Sequence, residues 1–481
     1  MAIDINILFL AMPDLTARLN ATAAQQLWIS DSYGLVVGVL AIVAGAVGDR
    51  FGRRRLLLWG TFGFLLASVL AACAPSAGVL ILARVLQGIC GATLMPSTLA
   101  LILQTFPRES ERQRAIGLWA TCQFAVASLG PVAGGVLLHF FWWGSVFLMA
   151  APVCLVVLML GPSLLPESQP SRRAPHVDVP SAGLLVATMV GVFTTIKAFV
   201  PDSGTPVPVA LAAVVLAGGA GVLFIRRQAR LGQPFLDVLL LRSREIWGSV
   251  LSLTIVGIVL AGTGFWVSQY LQSAVGLDPL HAAIAFLPMG LSIGAGTVLA
   301  PRLVRYLDAD RLVVAGLVLA ALGASLLLTA STTHPLVPVL IGIALTAFGC
   351  GPLFAFGTAR IVTAAPASAS ARAAALAETS NHLGSWLGVA LVGTLGAAVY
   401  TMTAQPLFGD VDPVVPADTM ATSRLAAHGV PDSQQILAAI TAGGTASLHA
   451  VGLASAALLL VCTGIHVIGR RQQNNAKIGH H

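Results

Sequence analysis

The sequence predicts an all-α polytopic membrane protein, and three observations predict it. Of its 481 residues, 57% are apolar and only 9% charged, where soluble domains carry about 25% charged residues. Its mean hydropathy is +0.88. The apolar residues fall in long continuous runs, and the basic residues fall almost entirely in alternate gaps between those runs. In lipid only helices and closed barrels satisfy their own backbone. Continuous apolar runs, rather than alternating ones, mean helices. A soluble enzyme and a disordered chain are both excluded.

Thirteen runs approach the ~20 residues that a helical span needs: 29–48, 56–74, 78–101, 115–138, 143–165, 180–200, 206–225, 244–271, 280–300, 312–331, 335–357, 373–401 and 446–468. A shorter run, 1–13, precedes them. Gly and Pro, 49 and 26 in number, suit membrane helices. The charges then fix the count. Of the 26 basic residues, 22 lie in the loops after spans 2, 4, 6, 8, 10 and 12 or in the C-terminal tail. That asymmetry is the positive-inside bias, and it requires the first short run to be a span. Fourteen spans with both termini cytoplasmic follow, in an inner (plasma) membrane. The first run is roughly ten residues short of a bilayer crossing, so further residues upstream of Met1 are expected. The net charge of +7 reflects this bias and calls for no nucleic acid.

Two polar, Pro-containing basic linkers, 166–179 and 226–244, bracket two spans. They divide the chain into an N-terminal six-helix bundle (1–165), linkers with an inserted two-helix hairpin (166–243), a C-terminal six-helix bundle (244–468) and a tail (469–481). Paired bundles of this kind belong to secondary transporters, with the binding site near mid-membrane. The second bundle carries a long outer loop, 404–445, in which 432–442 reads as a short amphipathic helix.

Ionisable groups inside spans are costly and functional by default. Here they are Asp4, Asp31, Arg84, Lys197 and Glu378, with His382 one turn beyond Glu378. Asp4, Asp31 and Glu378 could bind cations and protons, or serve as solvated acids near helix starts. A buried Arg84 needs a partner, and would lower the proton affinity of a nearby acid. Lys197 reads as snorkelling to the outer surface. The cluster Gly45-x-x-Gly48-Asp49-Arg50-x-Gly52-Arg53 joins a tight turn to a charged latch on the cytoplasmic side. Gly130-Pro131-x-x-Gly134-Gly135 permits a kink and close helix packing. Trp28, Tyr33, Trp119, Trp266 and Trp386 offer aromatic faces to a cation. The six cysteines sit inside apolar runs with no metal-ligand spacing. No phosphate-binding loop and no zinc-protease or serine-hydrolase motif occurs, so neither an ATP-driven motor nor a membrane enzyme is expected.

These residues resemble a known family. The segment from Gly45 to Arg55 resembles the signature loop of the major facilitator superfamily, and Leu82 to Ala92 its motif around a span-4 arginine. Gly130-Pro131-x-x-Gly134-Gly135 resembles the motif of its proton antiporters. The 6 + 2 + 6 organisation is similar to that of fourteen-spanner drug:proton antiporters. Ala2-Ile3-Asp4, Leu27-Trp28-Ile29-x-Asp31-x-Tyr33 and Glu378-Thr379 resemble the QacA-like and SmvA-like exporters of quaternary ammonium antiseptics and dyes. The resemblance implies alternating access driven by the proton motive force, with no resident cofactor or metal. Asp4, Asp31 and Glu378 would carry cations and protons. Arg84 would tune the proton site, and Gly48, Asp49, Arg50, Gly52 and Arg53 would form the latch. A monomer exporting small cationic amphiphiles across the lipid bilayer is expected. The same fold would also serve an endogenous metabolite, lipid or siderophore.

Overall fold

A computed structural model describes residues 2–106, 108, 111, 115, 130, 132–166, 178–198, 206–231, 243–331, 336–364, 370–409, 419–427 and 433–478. The described chain is helical throughout. It divides into two compact units, one formed by residues 1–198 and 203–235, the other by 199–202 and 236–481. Ten of its helices are long and apolar enough to cross a membrane, and Pro180–Ile196 is a shorter apolar helix.

The N-terminal unit begins with α1 (Ala2–Leu19) and α2 (Ala23–Phe51). A capping box starts α2. Thr22 Oγ1 accepts from the Gln25 backbone at 3.3 Å, and the Thr22 backbone donates to Gln25 Oε1 at 3.1 Å. Such reciprocal bonds satisfy two otherwise orphaned donors. Next come α3 (Arg53–Ala72) and α4 (Ala77–Thr105), the latter capped by Ser76. Most of the span expected at 115–138 lies outside the described residues; helical structure is described at 130 and 132–140. A short turn, Ser145–Leu148, leads into α5 (Ala151–Leu164). The buried core of these helices centres on Tyr33, Val37, Phe64 and Cys154.

The segment expected as an inserted hairpin forms α6 (Val179–Lys197) and α7 (Val207–Gln228). The two helices pack on each other, and α6 also touches α2. A polar clasp closes one end. Arg227 grips Asp178 in a two-pronged pair, Nη2–Oδ1 at 2.7 Å and Nε–Oδ2 at 2.8 Å. Ser181 donates to the same carboxylate, and Gln228 donates to Ser181 at 2.8 Å. Fork-shaped pairs of this kind are the strong, geometrically specific ones. The guanidinium beside it holds the Asp178 carboxyl below its usual range. A depressed carboxyl stabilises the fold above its unfolded pKa and ceases to do so as pH falls through the folded value. The protection factors of amides at the start of α6, corrected for intrinsic exchange, should therefore stay level from pH 8 to about 5 and fall below about 4. Asp178→Asn should show the lower protection at every pH.

The C-terminal unit begins with α8 (Arg244–Gln269), which runs into a π-turn at Tyr270–Ala274. It continues through α9 (Pro279–Leu303), α10 (Ala309–Leu326) and α11 (Leu336–Ala364) to α12 (Ser370–Gly409), α13 (Met420–Ala427) and α14 (Ser433–Ile478). The residues read as a long outer loop are thus largely helical where described. The short helix expected at 432–442 is the first part of α14, one continuous helix of 46 residues. Next to it, Arg424 of α13 donates to the Ser273 carbonyl at 2.7 Å, which ties the outer segment to the π-turn.

The core of this unit is built from small apolar side chains, among them Val256, Leu317, Ala320, Cys350, Leu353 and Leu459. Small residues bring α8 and α12 into backbone contact. A Cβ on Gly384 would lie 2.3 Å from the Thr254 carbonyl oxygen, and one on Gly388 would lie 2.3 Å from that of Ile258. The pairs 254/384, 258/388 and 266/396 increase together, so the two helices run in the same direction. Close approach through small residues is the usual means of helix association where no hydrophobic drive exists between helices in lipid.

Among the described residues Cys73, Cys90, Cys154, Cys350 and Cys462 are free thiols.

Candidate substrate and coupling site

In the N-terminal unit one side chain organises the polar interior. Arg84, on α4, is fully buried. Its Nε donates to the Ile29 carbonyl of α2 at 3.3 Å, and its Nη1 donates to Gln87 Oε1 at 3.1 Å. Gln87 Nε2 passes the connection on to Ser68 of α3 at 2.9 Å. The Tyr33 ring lies 4.5 Å from the guanidinium carbon, and Phe147 lies 5.8 Å away. A buried cation over aromatic faces gains electrostatic stabilisation that grows with desolvation. Arg84 therefore joins α2, α3, α4 and the Ser145–Leu148 turn.

Asp31 lies two residues beyond Ile29 on α2 and is 1% exposed. Among the described residues of this unit, a carboxylate on α2 and a guanidinium on α4 are therefore both buried. Trp28 and Tyr33 are on the same helix, and Tyr33 gives a ring face to Arg84. Gln87 lies inside the quoted span-4 motif, and its i, i+3 spacing from Arg84 was the available signal for its role. Ser68 carried no such signal, because only tertiary packing brings it to Gln87.

At the other end of α2, Gly52 is both the last cap of α2 and the first of α3, with φ 99°. Side chains are strained there by roughly 1–3 kcal/mol. Gly48 is buried beneath Arg53, whose Cδ would lie 2.9 Å from a Cβ at that position. Arg50 is exposed, its guanidinium 5.9 Å from the Phe51 ring. Arg54 donates to the Pro162 carbonyl of α5. Asp49 is on α2, and its side chain lies outside the described residues. Gly52→Ala should lower the melting temperature of the purified protein, by several degrees for ~2 kcal/mol of strain.

Asp4 and Glu378 are on α1 and α12, with side chains outside the described residues; the same holds for Lys197 on α6. Trp119 and Pro131 lie outside them altogether. Gly130, Gly134 and Gly135 are buried. On α12, His382 follows Glu378 by one turn, and its ring stacks near that of Trp386, with centroids 6.1 Å apart and 16° between planes. Trp266, on α8, is buried with its indole against Gly396 of α12. Glu378, Trp266 and Trp386 thus belong to the C-terminal unit, and Asp31, Arg84, Trp28 and Tyr33 to the N-terminal one. No group of three or more His, Cys, Asp or Glu among the described residues could hold a metal ion.

Ten long apolar helices among the described residues define a multi-pass membrane protein. The model of the Major Facilitator Superfamily matches residues 1–389, and the chain belongs to that superfamily, which makes it a transporter rather than an enzyme. The multidrug efflux pump LfrA of Mycolicibacterium smegmatis is 40% identical over 402 residues, covering 83% of this chain and 79% of its own length. The methyl viologen resistance protein SmvA of Salmonella typhimurium is 34% identical over 396 residues, covering 82% of this chain and 79% of its own. A solved bacterial homologue of the lysosomal transporter Spinster, inward-facing and occupied, shares the fold with a TM-score of 0.64 at 15% identity, over 98% of this chain and 94% of the other.

Proposed function

We propose that this chain is a proton-coupled multidrug efflux antiporter that exports lipophilic cations, such as quaternary ammonium antiseptics and dyes, by alternating access. The single observation that carries the reading is the buried Asp31 on α2 beside the Arg84 network. A carboxylate in an apolar interior attracts lipophilic cations, and protons compete for the same oxygen atoms. The names of its relatives, a multidrug pump and a methyl viologen resistance protein, support both drug export and a cationic cargo. Asp4 and Glu378 join Asp31 as proton and cation carriers in this reading. Asp49 and the arginines around Gly52 hold the cytoplasmic latch.

Fourteen spans in a 6 + 2 + 6 arrangement, with both termini cytoplasmic, suit the reading. In this reading the ten apolar helices, α1, α2 and the shorter Pro180–Ile196 helix serve as thirteen of them; the span expected at 115–138 lies mostly outside the described residues. The protein acts as a monomer of the inner membrane and draws on the proton motive force. Swapping one monovalent cation for one proton moves no net charge. Two protons per cation would add about 2.3 kcal/mol per 100 mV of membrane potential.

The test uses proteoliposomes that contain a pH-sensitive dye under an imposed pH gradient. Adding a quaternary ammonium compound should trigger proton movement in the wild type, and Asp31→Asn and Glu378→Gln should abolish it. Proton movement at the wild-type rate in both variants would remove these carboxylates from the mechanism. No response from the wild-type protein would refute the antiport itself.

A further inference from the structure

Buried polar atoms in native proteins nearly always have hydrogen-bond partners. The C-terminal unit departs from this on two adjoining helices. Trp266 on α8 is 4% exposed and Trp386 on α12 is 6% exposed, and neither indole N–H has a partner among the described residues. Gln269 Oε1, one turn beyond Trp266, and Thr394 Oγ1 are likewise buried without partners. Leaving such groups unsatisfied costs about 1–3 kcal/mol each.

One side of each tryptophan ring already has a neighbour. Trp266 lies against Gly396, where an added Cβ would come within 2.6 Å of the indole. Trp386 is stacked near His382. The indole N–H of each is a donor only, and a ligand that meets it must bring an acceptor. Trp386 and Thr394 are eight residues apart on one side of α12, a rise of about 12 Å. Because α8 and α12 run in the same direction with 266 beside 396, Trp266 is near the level of Thr394. The unsatisfied groups therefore form two steps along the helix pair.

We propose that Trp266 and Trp386 are hydrogen-bond donors to the substrate, and that the C-terminal unit is built for cargo carrying carbonyl, quinone or ether oxygens. Lipophilic cations with such acceptors gain these bonds, and cations without them do not. The proposal rests on the exporter reading above and narrows its substrate class.

The test compares two probes in proteoliposomes: tetraphenylphosphonium, a lipophilic cation with no hydrogen-bonding group, and daunorubicin, a planar amine bearing quinone and ketone oxygens. Trp386→Phe and Trp266→Phe keep an aromatic ring and delete the donor. A second version replaces each tryptophan by benzothienylalanine, which keeps the ring shape and lacks only the N–H. The KM for daunorubicin should rise roughly fivefold or more per donor removed, with tetraphenylphosphonium unchanged within twofold. Equal losses for both probes in the benzothienyl proteins would overturn the proposal, since they would mark a structural role. Unchanged transport of both would also overturn it, since the N–H groups would then be satisfied by water. Transport of neither probe by the wild-type protein would instead bring down the exporter reading, and the proposal with it.

Discussion

Arg84→Ala should abolish export while leaving a protein that still inserts in the membrane. The substitution removes the hydrogen bonds to the Ile29 carbonyl and to Gln87. It also strips the cation from the Tyr33 and Phe147 rings and opens a void at a site with no exposure. Hydrogen bonds to charged groups contribute about 1.5–3 kcal/mol each, and truncating a large buried side chain adds a cavity cost of about 2–5 kcal/mol. The contact between α2 and α4 should loosen, because the bond to the Ile29 carbonyl is what Arg84 supplies between them. Ethidium efflux should fall at least tenfold. Arg84→Lys should not restore it, because an ammonium cannot reproduce the planar fork that reaches both α2 and Gln87. Efflux near wild-type levels in Arg84→Lys would show that only the charge matters. Gln87→Leu should behave more mildly, since it removes the bonds from Arg84 and to Ser68 but leaves the Ile29 bond intact.

Gly388→Val should have the largest effect on the fold itself. A Cβ there meets the Ile258 carbonyl oxygen at 2.3 Å, well inside contact distance, and a backbone atom cannot swing aside as a side chain can. The helices α8 and α12 must separate, and with them the buried residues of the C-terminal core. Overpacking usually costs about 1–3 kcal/mol, and backbone against backbone belongs at the upper end. The melting temperature in detergent should drop by roughly 5–10 °C, and Gly384→Val should match it. Gly294→Ala is the control, because nothing lies within 4 Å of its position. Equal melting temperatures for Gly388→Val and Gly294→Ala would mean that the two helices do not rely on that contact.

How much of this was legible beforehand differs by element. Runs bounded by charge or proline gave close limits: 56–74 became Arg53–Ala72, and 280–300 became Pro279–Leu303. Hydropathy failed where helices continue beyond the apolar stretch. The last helix begins at Ser433 rather than near 446, because its first turns are held by the buried Ile436, Ala439 and Ile440, while the exposed Gln434 and Gln435 make the stretch read as polar. The π-turn at Tyr270–Ala274 had no signal, since nothing local in the sequence marks it and its Ser273 carbonyl is met by Arg424, 151 positions away in the chain. For the site, Arg84 was recognisable as a lone cation in an apolar run, but its partners were not. The Ile29 carbonyl has no side-chain identity to read, and Ser68 is one serine among many. Trp266 and Trp386 were readable as aromatic; that each ring has a neighbour on one side and a buried N–H was a matter of packing.

The hairpin helix α7 has a consequence of a different kind. Its buried residues, Ala213, Ala220, Phe224 and Gln228, form a single stripe, while Val215 is 72% exposed and Leu211 61%. The stripe and the Asp178 clasp fix it to α6. Every other position has only to be greasy. Random exchange among Val, Leu, Ile and Ala should pass unnoticed along most of its length, so a saturation library of α7 should retain nearly all of its apolar variants. The helix would keep its fold while its spelling wandered, with selection resting on four or five letters.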